Sequence, residues 1–102
     1  MLDYSIAKAE RNGDCVTIRI QGHFSFPIYH QFREACSGPT PGQQYVIDLK
    51  DATYMDSSAL GMLLYLREQA GGESAQIEIT HASPQINKVL MIANFNKLFR
   101  IT

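Results

Sequence analysis

The sequence predicts one α/β domain, a mixed and mostly parallel sheet that opens with an N-terminal β-hairpin and carries about three crossover or flanking helices. Three observations predict it. Runs that alternate with period two recur along the chain, apolar runs at helical spacing separate them after the first pair, and breaker residues stand at the joins. With 102 residues and no shift in composition, residues 1–102 are expected to form a single domain around one core.

Asp3 to Ala9 and Cys15 to Gln21 alternate as strands, and Arg11-Asn12-Gly13-Asp14 between them has the chemistry of a hairpin turn. In the second strand Val16, Ile18 and Ile20 share one side, and Thr17, Arg19 and Gln21 the other. Gly22 is expected to end it. Pro27 suits the first turn of a helix whose Ile28, Phe32, Ala35 and Cys36 line one face. Ser37-Gly38-Pro39-Thr40-Pro41-Gly42 is a breaker cluster. Tyr45 to Leu49 is almost continuously apolar, which predicts an inner strand covered on both faces or beside a buried edge.

A helix is expected from Ser57 to about Ala70, closed by Gly71-Gly72. Gln76 to Thr80 alternates as a further strand. Ser83-Pro84 then opens a helix with Ile86, Val89, Leu90 and Ala93 on its inner side. Leu98 to Ile101 is expected as a short last strand. The order β-β-α-β-α-β-α-β calls for right-handed crossovers and parallel pairing after the hairpin.

Hydrophobic residues make up 45% and charged residues 19% of the chain, ordinary values for a globular protein. A net charge of -1, with cations and anions scattered alike, provides no basic stripe for nucleic acid or for an anionic membrane surface. The first ten residues lack the basic flank and apolar core of an export signal, and Ala59 to Leu66 is too short to insert in a bilayer. Cys15 and Cys36 show no CxxC spacing and fit reduced packing cysteines in a cytoplasmic protein. His23, His30 and His81 are isolated, without metal-ligand spacing, and no cofactor is implied.

Asp56-Ser57-Ser58-Ala59-Leu60-Gly61 places two hydroxyls where a helix begins. By residue type alone this is a helix cap, since Asp and Ser are preferred just before a first turn. The same place also favours anions, because the first turn leaves backbone N–H groups unpaired and carries the positive end of the helix dipole. A serine nucleophile at a strand-to-helix elbow needs G-x-S-x-G, whereas Tyr54 and Met55 precede Asp56 here, so an enzyme is not the expected reading. At 100° per residue Ala59, Leu63, Leu66 and Ala70 form the core stripe. Ser57, Gly61, Leu64 and Glu68 fall nearly opposite, with Tyr65 on their flank. Gly61 costs about 1 kcal/mol against alanine inside a helix, which points to a close approach there. Either another protein docks on this face, or a neighbouring element of the same domain approaches Gly61 and a loop covers Leu64.

Tyr54-Met55-Asp56-Ser57-Ser58-Ala59-Leu60-Gly61, with the hairpin, Gly22, the Val46 to Leu49 strand, Ser83-Pro84, Phe95 and Phe99, resembles the STAS domains of bacterial anti-sigma-factor antagonists over nearly the whole chain. Its motif there is an apolar residue, Asp, Ser, Ser or Thr, Gly or Ala, Leu, Gly. The resemblance implies a STAS-type fold and marks Ser57 as the phosphorylation site, flanked by Asp56 and Ser58. It implies a partner switch: the unmodified protein binds an anti-sigma factor or a switch-protein kinase, phosphorylation blocks binding, and a PP2C-type phosphatase restores it. The nearest likeness is to the HsbA-like antagonists of gamma-proteobacteria, through His23-Phe24-Ser25-Phe26, Gln31-Phe32-Arg33 and Asn94-Phe95 to Ile101.

Many members of that family carry Asp where Ser25 stands, in a loop that meets partners, so Phe24 and Phe26 are expected to supply apolar contacts instead. Many also add a helix after the last strand, whereas this sequence stops at Thr102. That helix is expected to be dispensable, or the face it covers to be open to a partner. The expected partner-binding set is Phe24, Ser25, Phe26, Gly61, Leu64, Tyr65 and Glu68. A STAS subunit of a lipid-transport ABC complex, binding its ATPase constitutively, is the alternative for the same fold.

Overall fold

A computed structural model of the chain describes residues 5–36 and 43–102. The expected order of elements is present: β1 Ile6–Asn12, β2 Cys15–Phe24, α1 Tyr29–Cys36, β3 Gln44–Met55, α2 Ser57–Gln69, β4 Gln76–Thr80, α3 Pro84–Ile92 and β5 Arg100–Ile101. They build a five-stranded sheet in the spatial order β1-β2-β3-β4-β5. β1 runs antiparallel to β2, and every later pairing is parallel. Asn12 faces Cys15 across the hairpin, and Gly13, with φ of 63°, takes the positive dihedral that a two-residue turn requires. Asp3 and the cluster Ser37 to Gly42 lie outside the described residues.

Strands that follow one another in space as they do in sequence send each crossover in the same direction. Right-handed connections then place α1, α2 and α3 on a single face of the sheet. The burial pattern agrees. Val16, Ile18 and Ile20 of β2, Tyr45, Ile47 and Leu49 of β3, and Ile77 and Ile79 of β4 are all buried. Their registers align them into rows, Val16 beside Tyr45 beside Ile77 and Ile18 beside Ile47 beside Ile79. Phe32 from α1, Leu63 and Leu66 from α2 and Leu90 from α3 complete the core.

The opposite sheet face is polar and solvated. Arg19 and Asp48 pair in register there, their side chains 3.9 Å apart, and Asp48 also meets His81 at 3.1 Å. β3 is therefore the central strand but is covered on one face only. Its apolar run misled because Val46 and Asp48, which face away from the helices, are half-covered by neighbouring strands rather than by a second layer.

Gly22 does not end β2. The strand continues to Phe24, with Gly22 at φ of 78° and register shifts on either side of it. β3 supplies the extra residues at both shifts: Arg19 pairs with Asp48 but Gln21 with Asp51, and Gly22 pairs with Ala52 but His23 with Tyr54. Each bulge resets the alternation, so that Ala52 and Met55 still point inward after Leu49. The last strand is also shorter than expected. Asn94 adopts the left-handed conformation at φ of 61° and turns the chain into a single 3₁₀ turn, Phe95–Lys97. Phe95 and Phe99 are buried with their rings 5.3 Å apart, which leaves Leu98 between them facing out.

The edge strand β1 is tied to α1 through Gln31, whose side-chain oxygen accepts from the Ala7 backbone N–H at 3.1 Å. Cys36 lies at the inner end of α1, and burial pushes its thiol up to about 12. Iodoacetamide at pH 8 should therefore label Cys15, which is half-exposed, and leave Cys36 unmodified until the chain unfolds, as read by peptide mass spectrometry. Because the folded state holds the Cys36 proton more tightly than the unfolded state, stability should fall as pH rises above the ordinary thiol range toward 12. The Cys36→Ala variant should flatten that loss in urea titrations.

Candidate functional site

The end of β3 delivers the chain to α2 through Asp56, which keeps an extended backbone and caps the helix. One oxygen of its carboxylate accepts from the Ser58 backbone N–H at 3.0 Å and from the Ser58 hydroxyl at 2.5 Å. The two serines thus play different parts. Ser58 Oγ is engaged and half-buried, whereas Ser57 is exposed and its hydroxyl forms no hydrogen bond among the described residues. Capping and an accessible hydroxyl coexist here, on neighbouring residues.

Behind this start, α2 divides as its sequence predicts. Ala59, Leu63 and Leu66 are buried, joined by Met62, and Ala70 is half-buried. Ser57, Gly61, Leu64 and Glu68 are exposed, with Tyr65 half-buried beside them. A methyl group placed on Gly61 would meet nothing within 4 Å, so among the described residues no element needs the glycine for a close approach. Leu64 is 40% exposed, and no loop among the described residues covers it. Among the described residues neither intramolecular explanation for this face holds.

The segment after Gly22 divides less evenly than expected. Phe24 is fully buried and packs on Phe32 at 5.5 Å between ring centres, because β2 keeps its inward alternation to that residue. It offers no side chain to a partner. Ser25 is also buried, and its carbonyl accepts from the Ile28 N–H at 3.1 Å to start the 3₁₀ turn Phe26–Ile28. Only Phe26 reaches solvent, at 69% exposure, stacked on Tyr29 with ring centres 5.8 Å apart.

Tyr29 extends this surface toward α2 through Arg33. The guanidinium donates to the Tyr29 hydroxyl at 3.3 Å and to the Tyr65 hydroxyl at 3.4 Å, and lies 5.6 Å and 5.0 Å from the respective ring centres. Donating to Tyr65 and then to Tyr29 raises its pKa further above the usual arginine value. Phe26 and Arg33, exposed, and Tyr29 and Tyr65, half-buried, therefore form a continuous surface row that reaches the α2 face at Leu64. Sequence reasoning missed Tyr29 and Arg33 as site residues. Their i, i+4 spacing along α1 was visible, but the bridge from Arg33 to Tyr65, 32 residues away, was not. His23 and Tyr54, 5.1 Å apart, sit beside the β3 end of the same region.

No group of three or more histidine, cysteine or acidic side chains gathers as a metal site among the described residues. None of the described helices is long and apolar enough to cross a membrane.

A one-faced mixed sheet with an aspartate-capped, serine-led helix at its β3 to α2 junction is the architecture of a STAS-type domain. Residues 7–100 match the family described as "Mlab, STAS domain", and the chain belongs to it. A STAS-domain containing protein of Pseudomonas aeruginosa is 52% identical over 93 residues, covering 89% of this chain and 91% of its own length. Among solved structures, an anti-sigma factor antagonist from Mycobacterium paratuberculosis superposes with a TM-score of 0.79 at 16% identity, over 97% of this chain and 86% of its own. The anti-sigma factor antagonist SpoIIAA in its unphosphorylated form gives 0.72 at 20% identity, over 94% and 86%. At these identities the structures show a shared fold.

Three substitutions check the placement by urea denaturation. Phe24→Ala should cost about 3–5 kcal/mol and Phe26→Ala less than about 1, reversing any expectation that the two are equivalent. Gly61→Ala should stabilise by about 0.5–1 kcal/mol, because the new methyl meets open space and removes a helix-interior glycine.

Proposed function

We propose that this protein is an anti-sigma-factor antagonist that acts as a phosphorylation-controlled partner switch in the cytoplasm. The unmodified form binds an anti-sigma factor or a related regulator, including one that is itself the switch-protein kinase, and phosphorylation of Ser57 blocks that binding. A PP2C-type phosphatase reverses it. The chain itself carries no catalysis in this scheme. Within the family we group it with the HsbA-like antagonists on the likeness of His23 to Phe26, Gln31 to Arg33 and Asn94 to Ile101.

The supporting observation is the exposed Ser57 hydroxyl, unbonded among the described residues, at the head of a solvent-facing strip. A phosphate there adds roughly -1.5 to -2 charge at neutral pH, partly compensated by the N-terminus of α2. The fold survives it, since Asp56 and Ser58 hold the cap without the Ser57 side chain. Docking does not. A regulator covering Gly61 and Leu64 would have to desolvate the phosphate, and an unpaired buried charge costs several kcal/mol, or about a hundredfold or more in affinity.

The test is affinity capture with Ser57→Ala and Ser57→Asp baits, followed by mass spectrometry of partners and of the phosphosite. Ser57→Ala should retain the regulator, and Ser57→Asp should lose it by about tenfold or more. Equal capture by Ser57→Asp together with loss in Ser57→Ala would overturn the polarity. An ABC ATPase captured by both baits, with no phosphate found on Ser57, would replace a switch with a constitutive subunit. Gly61→Ala, which strengthens the fold, should weaken capture of the same regulator.

A further inference from the structure

We infer that the row Phe26–Tyr29–Arg33–Tyr65 is an anchor for a carboxylate on the partner, so that the segment docking across α1 and α2 is an acidic peptide stretch with apolar neighbours. It rests on the docking face proposed above and names the chemistry of what docks there.

Arg33 is an exposed cation on α1. Among the described residues no carboxylate pairs with it, and its contacts are the two phenols and their rings. Those contacts fix the side chain. A guanidinium lying against two rings, with each terminal nitrogen donating to a phenol, has already lost much of the freedom that binding would otherwise remove. The phenol bonds, at 3.3 and 3.4 Å, are long and occupy two of five N–H donors. The remaining donors suit a planar acceptor with two oxygens, which is the geometry of an Asp or Glu side chain.

The surroundings select the rest of the partner. Phe26 stands 69% exposed at one end of the row and Leu64 40% exposed at the other, so apolar side chains of the partner have surface to cover on both sides of the carboxylate. Gly61, one turn before Tyr65, leaves open space in which a backbone can approach α2 closely. Arginine and tyrosine at the centre of a contact, rimmed by apolar groups that exclude water, are the composition of an interface that concentrates its affinity in few residues. The net charge of -1 and the absence of a cationic cluster favour a carboxylate over a polyanion such as nucleic acid, which needs several cations in line.

The experiment needs no knowledge of the natural regulator. A phage-displayed library of random dodecapeptides is panned on the immobilised full chain. Enriched peptides are then synthesised and their affinities measured by fluorescence polarisation against the parent, Arg33→Gln, Arg33→Lys, Tyr65→Phe and Arg67→Gln chains. The enriched set should carry Asp or Glu beside an aromatic or aliphatic residue. Arg33→Gln should weaken binding about tenfold or more, Arg33→Lys by an intermediate factor, and Arg67→Gln by less than about twofold. Tyr65→Phe, which keeps the ring and removes the hydroxyl that orients the guanidinium, should fall between parent and Arg33→Gln.

Failure to enrich any peptide, enrichment without an acidic residue, or equal affinity for parent and Arg33→Gln overturns the inference. Circular dichroism of Arg33→Gln guards against a folding defect, and loss of structure there shifts the decision to Arg33→Lys and Tyr65→Phe. Because the peptides are selected on unmodified protein, these outcomes bear on the carboxylate anchor, while the Ser57 baits bear on the switch.

Discussion

Each crossover in this sheet runs in the same direction, and that constraint governs the rest of the molecule. Strands paired in sequence order with right-handed connections put all three helices on one face, so the core is a single layer of side chains between that face and the helices. The helices must also lie side by side. α1 and α2 become neighbours, which is why Arg33 of one can reach Tyr65 of the other at 3.4 Å. The surface they share is consequently a property of the topology, not of either helix alone.

Within that frame, two local devices aim the site. The paired bulges in β3 let the strand run twelve residues without losing its inward alternation, and they carry it past the edge of β4 to the point where α2 begins. Asp56 then ends the strand and starts the helix with a carboxylate that holds Ser58 by both its backbone and its hydroxyl. Because the cap is complete without Ser57, the exposed serine is free to change its chemistry without taking the helix apart. A junction built the other way, with Ser57 as the cap, would couple modification to unfolding of the first turn.

Most of the fold was legible in the sequence because each element carries its own period. The core stripe of α2, the inward residues of α1 and the glycine stop at Gly71, with φ of 119°, followed directly from spacing and turn chemistry. What sequence reasoning misplaced depends on contacts between elements. Gly22 looks like a terminator, yet in the sheet it occupies a positive dihedral beside a register shift, and β2 continues through it. That continuation separates Phe24 from Phe26, which are alike on paper: one completes the core against Phe32, the other stands in water. Tyr45 to Leu49 reads as buried on both sides because hydrophobicity records neighbours of every kind, strands as well as helices. The site was legible at Ser57, Gly61 and Leu64, which share one helix. It was not legible at Arg33, whose importance depends on a tyrosine far away in the chain.

The tie between Gln31 and the Ala7 N–H has a consequence for how the domain behaves in a crowd. An open sheet ends in two strands with unpaired backbone groups, each a template on which another chain can extend the sheet. At β1 the outward Ala7 donor is already taken by a side chain from α1, and at the far side β5 is only two residues long. Both features shorten the run on which a stray strand could be recruited. Gln31, though exposed on α1, thus acts at the sheet edge rather than on the surface the helices share.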